Sequence, residues 1–220
     1  MSNSSLISYT KISPNRTSPR NHKIDTITIH CVVGQLSVEG IGECFQVRAS
    51  SNYGIGSDGR IACYVGEEDR SWCSSNRAND NRAITIEVAN DGGSDTGWHV
   101  SDKAYKSLIS LLVDICKRNH ITKLVWSNNK NDRVNHKNGC NMTVHRDFAN
   151  KSCPGDYLYS LQSKIADEVN SLLGVVKEAK PANKLYKVQV GSYSVKKNAI
   201  NMQNKLKSYG IDSIIVEVNK

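Results

Sequence analysis

No run of eighteen apolar residues occurs in the 220-residue sequence, so nothing in it reads as a membrane-spanning helix. The opening segment, MSNSSLISYTKISPNRTSPRNHK, has no apolar h-region. It therefore does not read as a secretory signal, and the expectation is a protein made in the cytoplasm. The seven cysteines (31, 44, 63, 73, 116, 140 and 153) include no C-x-x-C pair, which excludes a zinc ribbon by spacing. Their odd number and the missing signal argue for reduced thiols, most of them small buried hydrophobes. No nucleic-acid-binding motif is present.

What is present suffices for one ordinary domain and something small. Hydrophobic residues make up 38% and charged residues 23%, a balance that builds a core and does not indicate disorder. The formal charge of +8 is unevenly placed. Residues 175–220 hold nine lysines against three acidic residues, so the basic character belongs to the tail. A basic module suits an anionic polymer. Nucleic acid and the anionic polymers of a cell wall both qualify on charge alone.

Chemistry concentrates in the segment Asn141–Asp156, NMTVHRDFANKSCPGD. His145 and Cys153 stand eight residues apart, too far for one helical turn but close enough for a folded-back loop to present both to one ion. Lys151 lies between them. Pro154 suits the first turn of a helix, where its missing N–H costs nothing. Zinc accepts thiolate and imidazole together, and a catalytic zinc keeps three protein ligands and an open position. A third ligand must come from elsewhere in the chain.

Two strands supply candidates. Ile24–Val33 alternates, with Ile27, Ile29 and Cys31 on one face and Thr26, Thr28 and His30 on the other, read as a core face and a cleft face. Arg82–Ala89 repeats the pattern, Thr85-Ile86-Glu87 echoing Thr28-Ile29-His30. In register as neighbours, the two strands carry His30 and Glu87 on the same face. Tyr53–Ile55 and Arg60–Val65 read as a hairpin around Ser57-Asp58-Gly59. Tyr53 by itself reads equally well as a packed aromatic. His136, in the polar stretch Ser127–Cys140, is the rival ligand.

These residues, in this order, resemble the zinc amidases of the peptidoglycan-recognition and phage-lysozyme superfamily, the N-acetylmuramoyl-L-alanine amidases, endolysin-type members above all. The family pattern is a His ending an early strand, a Tyr before an x-I-x-x-D-G turn, and a late His-x5-Lys-x-Cys-Pro-Gly. It is met by His30, by Tyr53 to Gly59, and by His145, Lys151, Cys153, Pro154 and Gly155. The likeness spans about residues 20–174. It implies an α/β fold, a central mixed sheet flanked by helices. It also implies Zn2+ held by His30, His145 and Cys153, with Glu87 as general base. Tyr53 would lie beside the attacking water, and Lys151 would stabilise the tetrahedral oxyanion. The scissile bond it implies joins N-acetylmuramic acid to L-alanine. The residues alone imply only metal-assisted amide hydrolysis. A non-catalytic peptidoglycan receptor on the same fold is the alternative, although such receptors lack the Cys ligand kept here.

Elsewhere, residues 1–22 read as an irregular arm, Leu36–Val47 as a short helix and Gly66–Asn81 as a long polar connection. Ser101 caps a helix over Asp102–Asn119, Leu124–Trp126 reads as a short strand, and a last long helix runs from Pro154 to Leu173. Trp72 in the polar connection is as readily a substrate contact as a packing residue. The division expected is a catalytic domain over 1–174, a linker over 175–184 and a β-α-β segment over 185–220, with strands Leu185–Tyr193 and Asp212–Val218 around a helix Val195–Tyr209. YKVQVGSYS and the following helix resemble half of a SPOR repeat, a peptidoglycan-binding module. A single half leaves apolar surface uncovered, which predicts a homodimer through 185–220. The partners expected are peptidoglycan and anionic wall polymers, not nucleic acid and not an inserted membrane. Without a signal, a wall amidase reaches its substrate after holin-type release, as a phage endolysin does, or after lysis of its own cell.

Overall fold

The computed structural model describes residues 2–175 and 188–218. The strands are β1 (Tyr9–Thr10), β2 (Arg16–Thr17), β3 (Thr26–Val32), β4 (Tyr53–Ile55), β5 (Ile61–Cys63), β6 (Arg70–Ser71), β7 (Ala83–Ala89) and β8 (Met142–Val144). The helices are α1 (Val38–Val47), α2 (Arg77–Arg82), α3 (Asp102–Arg118), α4 (Lys130–Val134), α5 (Gly155–Leu172) and α6 (Lys196–Ser208). The chain forms two compact units, 1–177 and 178–220. No helix among the described residues is long and apolar enough to cross a membrane.

The first unit is built on a six-stranded sheet of order β1-β5-β4-β7-β3-β8. All its pairings are parallel except β4 with β5, the hairpin that turns at Ser57–Gly59. β3 and β7 are neighbours in it, and their register sets His30 beside Glu87 and Thr28 beside Thr85. On one face Ile27, Ile29, Ile84 and Ile86 pack against α3 and α5 through Leu108, Leu112, Ile115, Leu158, Ile165 and Val169. Both helices carry apolar residues at helical spacing, which makes a buried stripe of this kind. Ser101 caps α3 by accepting from Ala104 N, and Ser37 caps α1 by accepting from Gly40 N. Helix α1 lies against the hairpin, where Val38, Ile41 and Phe45 meet Ala62 and Tyr64.

The second face of β3 and β7 differs from the expected open cleft. Thr26, Thr28, His30 and Thr85 are all buried. The segment 66–82 covers them, so the expected polar connection is largely interior and contains β6 and α2. Hydrogen bonds compensate this burial. Thr28 Oγ1 lies 2.8 Å from Thr143 Oγ1, Asn79 Nδ2 donates to Thr28 Oγ1 at 3.0 Å, and Ser71 Oγ lies 2.7 Å from Thr85 Oγ1.

Three other expectations need correction. The N-terminal arm is not irregular: β1 extends the sheet and β2 pairs with β6. Arg20, buried, donates to the carbonyls of Glu67, Asp69, Asn81 and Ala83, tying the arm to the segment 66–82. Strands of two residues are too short to show a period, so sequence alternation could not reveal them. Leu124–Trp126 is not a strand: it makes one backbone bond to the residue before β8, Asn141 N to Val125 O at 3.2 Å, and side chains supply the others. Asn170 brackets Leu124 N and O, and Asn141 Oδ1 accepts from Val125 N.

The second unit holds α6 where a helix was expected. Neither 188–193 nor 211–218 forms a strand; positions 185–187 of the first expected strand lie outside the described residues. Alternating apolar residues make a strand only with a ladder partner and a face to bury. Here Val188, Ile214 and Val218 are exposed.

Gly54 shows how tightly the hairpin is seated. It pairs with Glu87 on β7, and a Cβ built on it falls 2.4 Å from Tyr64 Cε2. Gly54→Ala is therefore expected to lower stability by about 1–3 kcal/mol, an overpacking cost. A urea titration showing an unchanged midpoint would contradict this seating.

Candidate metal centre

Three elements deliver the potential ligands. His30 is the fifth residue of β3 and is fully buried. His145 follows β8 and opens a 3-10 turn, His145–Asp147. Asp147 anchors that turn: its Oδ2 accepts from Val144 N at 3.1 Å, and both carboxylate oxygens take the buried Arg133 guanidinium, at 3.0 and 2.5 Å. Cys153 precedes α5, and its carbonyl accepts from Arg146 N, closing the loop back toward His145. Gly155 has φ +79°, and a Cβ there would lie 2.9 Å from Gly97 O. Only glycine fits that conformation and that approach.

One ligand atom from each of His30, His145 and Cys153 lies within 4.8 Å of the others. His30 Nδ1 is 3.4 Å from Cys153 Sγ. Bond lengths to zinc of about 2.0 Å for nitrogen and 2.3 Å for sulfur place two tetrahedral ligands about 3.5 Å apart. The donor set and this spacing fit a borderline-soft cation such as zinc. Cys31 N donates to Cys153 Sγ at 3.4 Å, a contact that favours thiolate.

Glu87 stands beside the trio, with Oε1 3.9 Å from His30 Nδ1. Burial pushes its carboxyl up to about 7. Two buried polar atoms here have no protein partner, His30 Nε2 and Glu87 Oε2. His30 is held well below the usual imidazole range by burial and then by His145. His145 is lowered by burial and then by the charge of Lys151. Both rings are thus kept neutral, as metal ligands must be. The hydrogen bond with the Cys31 side chain, and then burial, hold the Cys153 proton on when no cation is present. Lys151 is exposed on the loop between the two late ligands.

Tyr53 is not part of this group, which corrects the expectation for it. Its Cα partner on β7 is Ile86, so its ring points into the apolar layer opposite His30 and Glu87. Its hydroxyl donates to Glu67 Oε1 at 2.5 Å and accepts from Ser4 N at 3.0 Å. Glu67 is buried and also takes Arg118, at 2.6 Å. His136 is likewise absent from the cluster and turns its Nδ1 to Cys140 O. Trp72 is part-exposed and donates to Thr17 Oγ1.

Sequence reasoning missed two neighbours of the centre. Cys73 Sγ donates to Glu87 Oε1 at 3.7 Å, and Ser75 Oγ lies 3.0 Å from His145 Nε2. His30, Cys73 and Glu87 form a second donor group sharing His30. Nothing periodic marks residues 73–75, and only their contact with motif residues distinguishes them.

The N-acetylmuramoyl-L-alanine amidase family matches residues 20–156. The chain belongs to that family. The SPOR domain family matches residues 182–220 of the same chain. Among solved structures, this amidase is similar to a selenomethionine derivative of AmpD, at 17% identity and TM-score 0.55, over 74% of this chain and 96% of that one. A mutant endolysin from Bacillus subtilis is 15% identical at TM-score 0.52, covering 74% of this chain and 99% of that one. The N-acetylmuramoyl-L-alanine amidase LysC from Clostridium intestinale is 17% identical at TM-score 0.50, covering 72% and 97%. At these identities the likeness concerns the fold. No curated protein is similar enough to count as a match. An amidase domain and a SPOR domain in one chain point to peptidoglycan as the polymer bound.

The placement of Tyr53 makes a prediction. Tyr53→Phe removes a hydrogen bond to a buried carboxylate and should cost about 1.5–3 kcal/mol of stability. Turnover per folded molecule should stay at the wild-type level, whereas a loss of kcat at full folding would return Tyr53 to the reaction.

Proposed function

We propose that this amidase is a zinc hydrolase that cleaves the amide between N-acetylmuramic acid and L-alanine in the bacterial cell wall, as an endolysin or cell-lysis amidase. The observation that carries this reading is the convergence of His30, His145 and Cys153 beside a half-buried carboxylate on the neighbouring strand. His30, His145 and Cys153 would hold the zinc. When bound, zinc lowers the pKa of a coordinated water toward about 7 and polarises the scissile carbonyl.

Glu87 is the general base. A carboxylate that titrates near neutrality can take a proton from water and return it to the departing nitrogen. Its partnerless Oε2 is the oxygen available for that exchange. Lys151 places a positive charge beside His145, where it would stabilise the tetrahedral oxyanion. The SPOR segment would attach the enzyme to the wall, its lysines meeting anionic wall polymers. Its exposed Val188, Ile214 and Val218 support pairing with a second copy of the segment.

Digestion of Gram-positive peptidoglycan with and without a zinc chelator tests the reaction. Chelator-sensitive release of alanine amino groups without new reducing sugars is the expected result. Wall binding with no release would favour a receptor. Cys153→Ser should weaken zinc binding and abolish turnover. Glu87→Gln should keep zinc and lose about 10²- to 10⁴-fold in kcat.

A base must be unprotonated, so activity should rise with pH through the Glu87 titration. That midpoint lies at or below about 7, since a neighbouring cation favours the carboxylate. An acid limb that persists unchanged in Glu87→Gln would assign it to another group. Sedimentation of the full chain at micromolar concentration should show a dimer that reverts to monomer when 176–220 is removed; a monomer throughout rejects the pairing.

A further inference from the structure

We infer that the turn Cys73–Ser75 orients the metal centre, with Ser75 holding the His145 ring so that Nδ1 faces the cation and Cys73 holding the Glu87 carboxylate. This inference rests on the zinc reading above and assigns two positioning residues to it.

Each imidazole nitrogen offers one in-plane direction for a proton, a hydrogen bond or a metal. Ser75 Oγ, 3.0 Å from His145 Nε2, takes the direction at that nitrogen. Only Nδ1 then remains for a cation shared with His30 and Cys153. A neutral imidazole bound through Nδ1 carries its proton on Nε2, and the Ser75 hydroxyl oxygen accepts it. Such outer partners set the tautomer and ring angle of a metal ligand. Cys73 acts in parallel on the base: its thiol donates to Glu87 Oε1 and leaves Oε2 without a protein partner.

The turn is built to hold these positions. The buried Asp80 carboxylate accepts from Cys73 N at 3.1 Å and from Ser74 N at 3.0 Å. Asn79 Nδ2 donates to Ser74 Oγ at 3.1 Å and to Thr28 Oγ1 at 3.0 Å, and Asn79 Oδ1 accepts from Thr143 Oγ1 at 3.0 Å. Thr28 and Thr143 each stand two residues before a histidine of the centre, on β3 and β8. One asparagine thus ties the turn to the strand that carries His30 and to the strand that leads into His145. Ser75 itself has φ +62°, a left-handed conformation that a serine keeps only when its surroundings impose it.

That conformation provides a decisive variant. Ser75→Gly relieves the backbone and removes the hydroxyl, so folding is retained while the contact to His145 is lost. In the full-length protein, zinc affinity is measured by competition with a chromophoric chelator. Ser75→Gly is expected to bind zinc about 10- to 100-fold more weakly at an unchanged or higher Tm. Nitrogen-15 histidine spectra of zinc-loaded wild type should place the His145 proton on Nε2, a readout that needs no variant. Cys73→Ala should lower kcat by about tenfold or more with KM and zinc affinity unchanged, and Cys73→Ser should restore it.

Wild-type zinc affinity in Ser75→Gly, or a His145 proton on Nδ1, overturns the role of Ser75 while the zinc reading stands. Wild-type kcat in Cys73→Ala overturns the role of Cys73. Failure of the wild-type chain to bind zinc overturns the zinc reading and this inference together.

Discussion

The parallel register of β3 against β7 is the constraint on which the rest of the first unit depends. It aligns Thr28 with Thr85 and His30 with Glu87, so one pair of strands carries both a potential ligand and a potential base. A slip of one residue would turn His30 into the layer of Ile27 and Ile29, because side chains alternate between faces. Isoleucines on both strands hold the register from the other side. Sliding either strand would take them out of the core beneath α3 and α5. The apolar face thus fixes the geometry of the polar one.

The polar face has its own demands. A sheet surface of threonines, a histidine and a glutamate cannot be buried beneath apolar residues without leaving donors and acceptors unpaired. The segment 66–82 resolves this with asparagines, serines and Asp80, which pair with one another and with the strand threonines. The partnerless His30 Nε2 and Glu87 Oε2 lie beside these paired groups. Satisfaction around the centre and its lack at the centre belong together. The layer fixes the side chains, while Glu87 Oε2 keeps capacity for a water or a substrate.

The two units differ in how far their local patterns are realised. In the first, each amphipathic element finds a complementary face, and apart from Leu124–Trp126 the expected strands, helices and caps form within a residue or two. In the second, α6 forms because a helix satisfies its own backbone. The flanking segments alternate as strands do yet remain unpaired, because a strand's hydrogen bonds must come from elsewhere. Among the described residues of this unit they find no ladder partner.

The sequence by itself determined the central strands, the long helices with their serine caps, the hairpin at Asp58-Gly59 and the trio His30, His145 and Cys153. These follow from alternation, helical spacing and a motif whose residue types restrict the chemistry. Only the tertiary structure decided that Tyr53 serves Glu67 and Arg118 rather than the metal centre. Strand alternation says that Tyr53 and Gly54 face opposite ways, but which of them faces Glu87 depends on register with β7. Only the tertiary structure, too, brought Cys73 and Ser75 to Glu87 and His145. That approach runs through Asn79 and Asp80, across distances in sequence that no local period encodes.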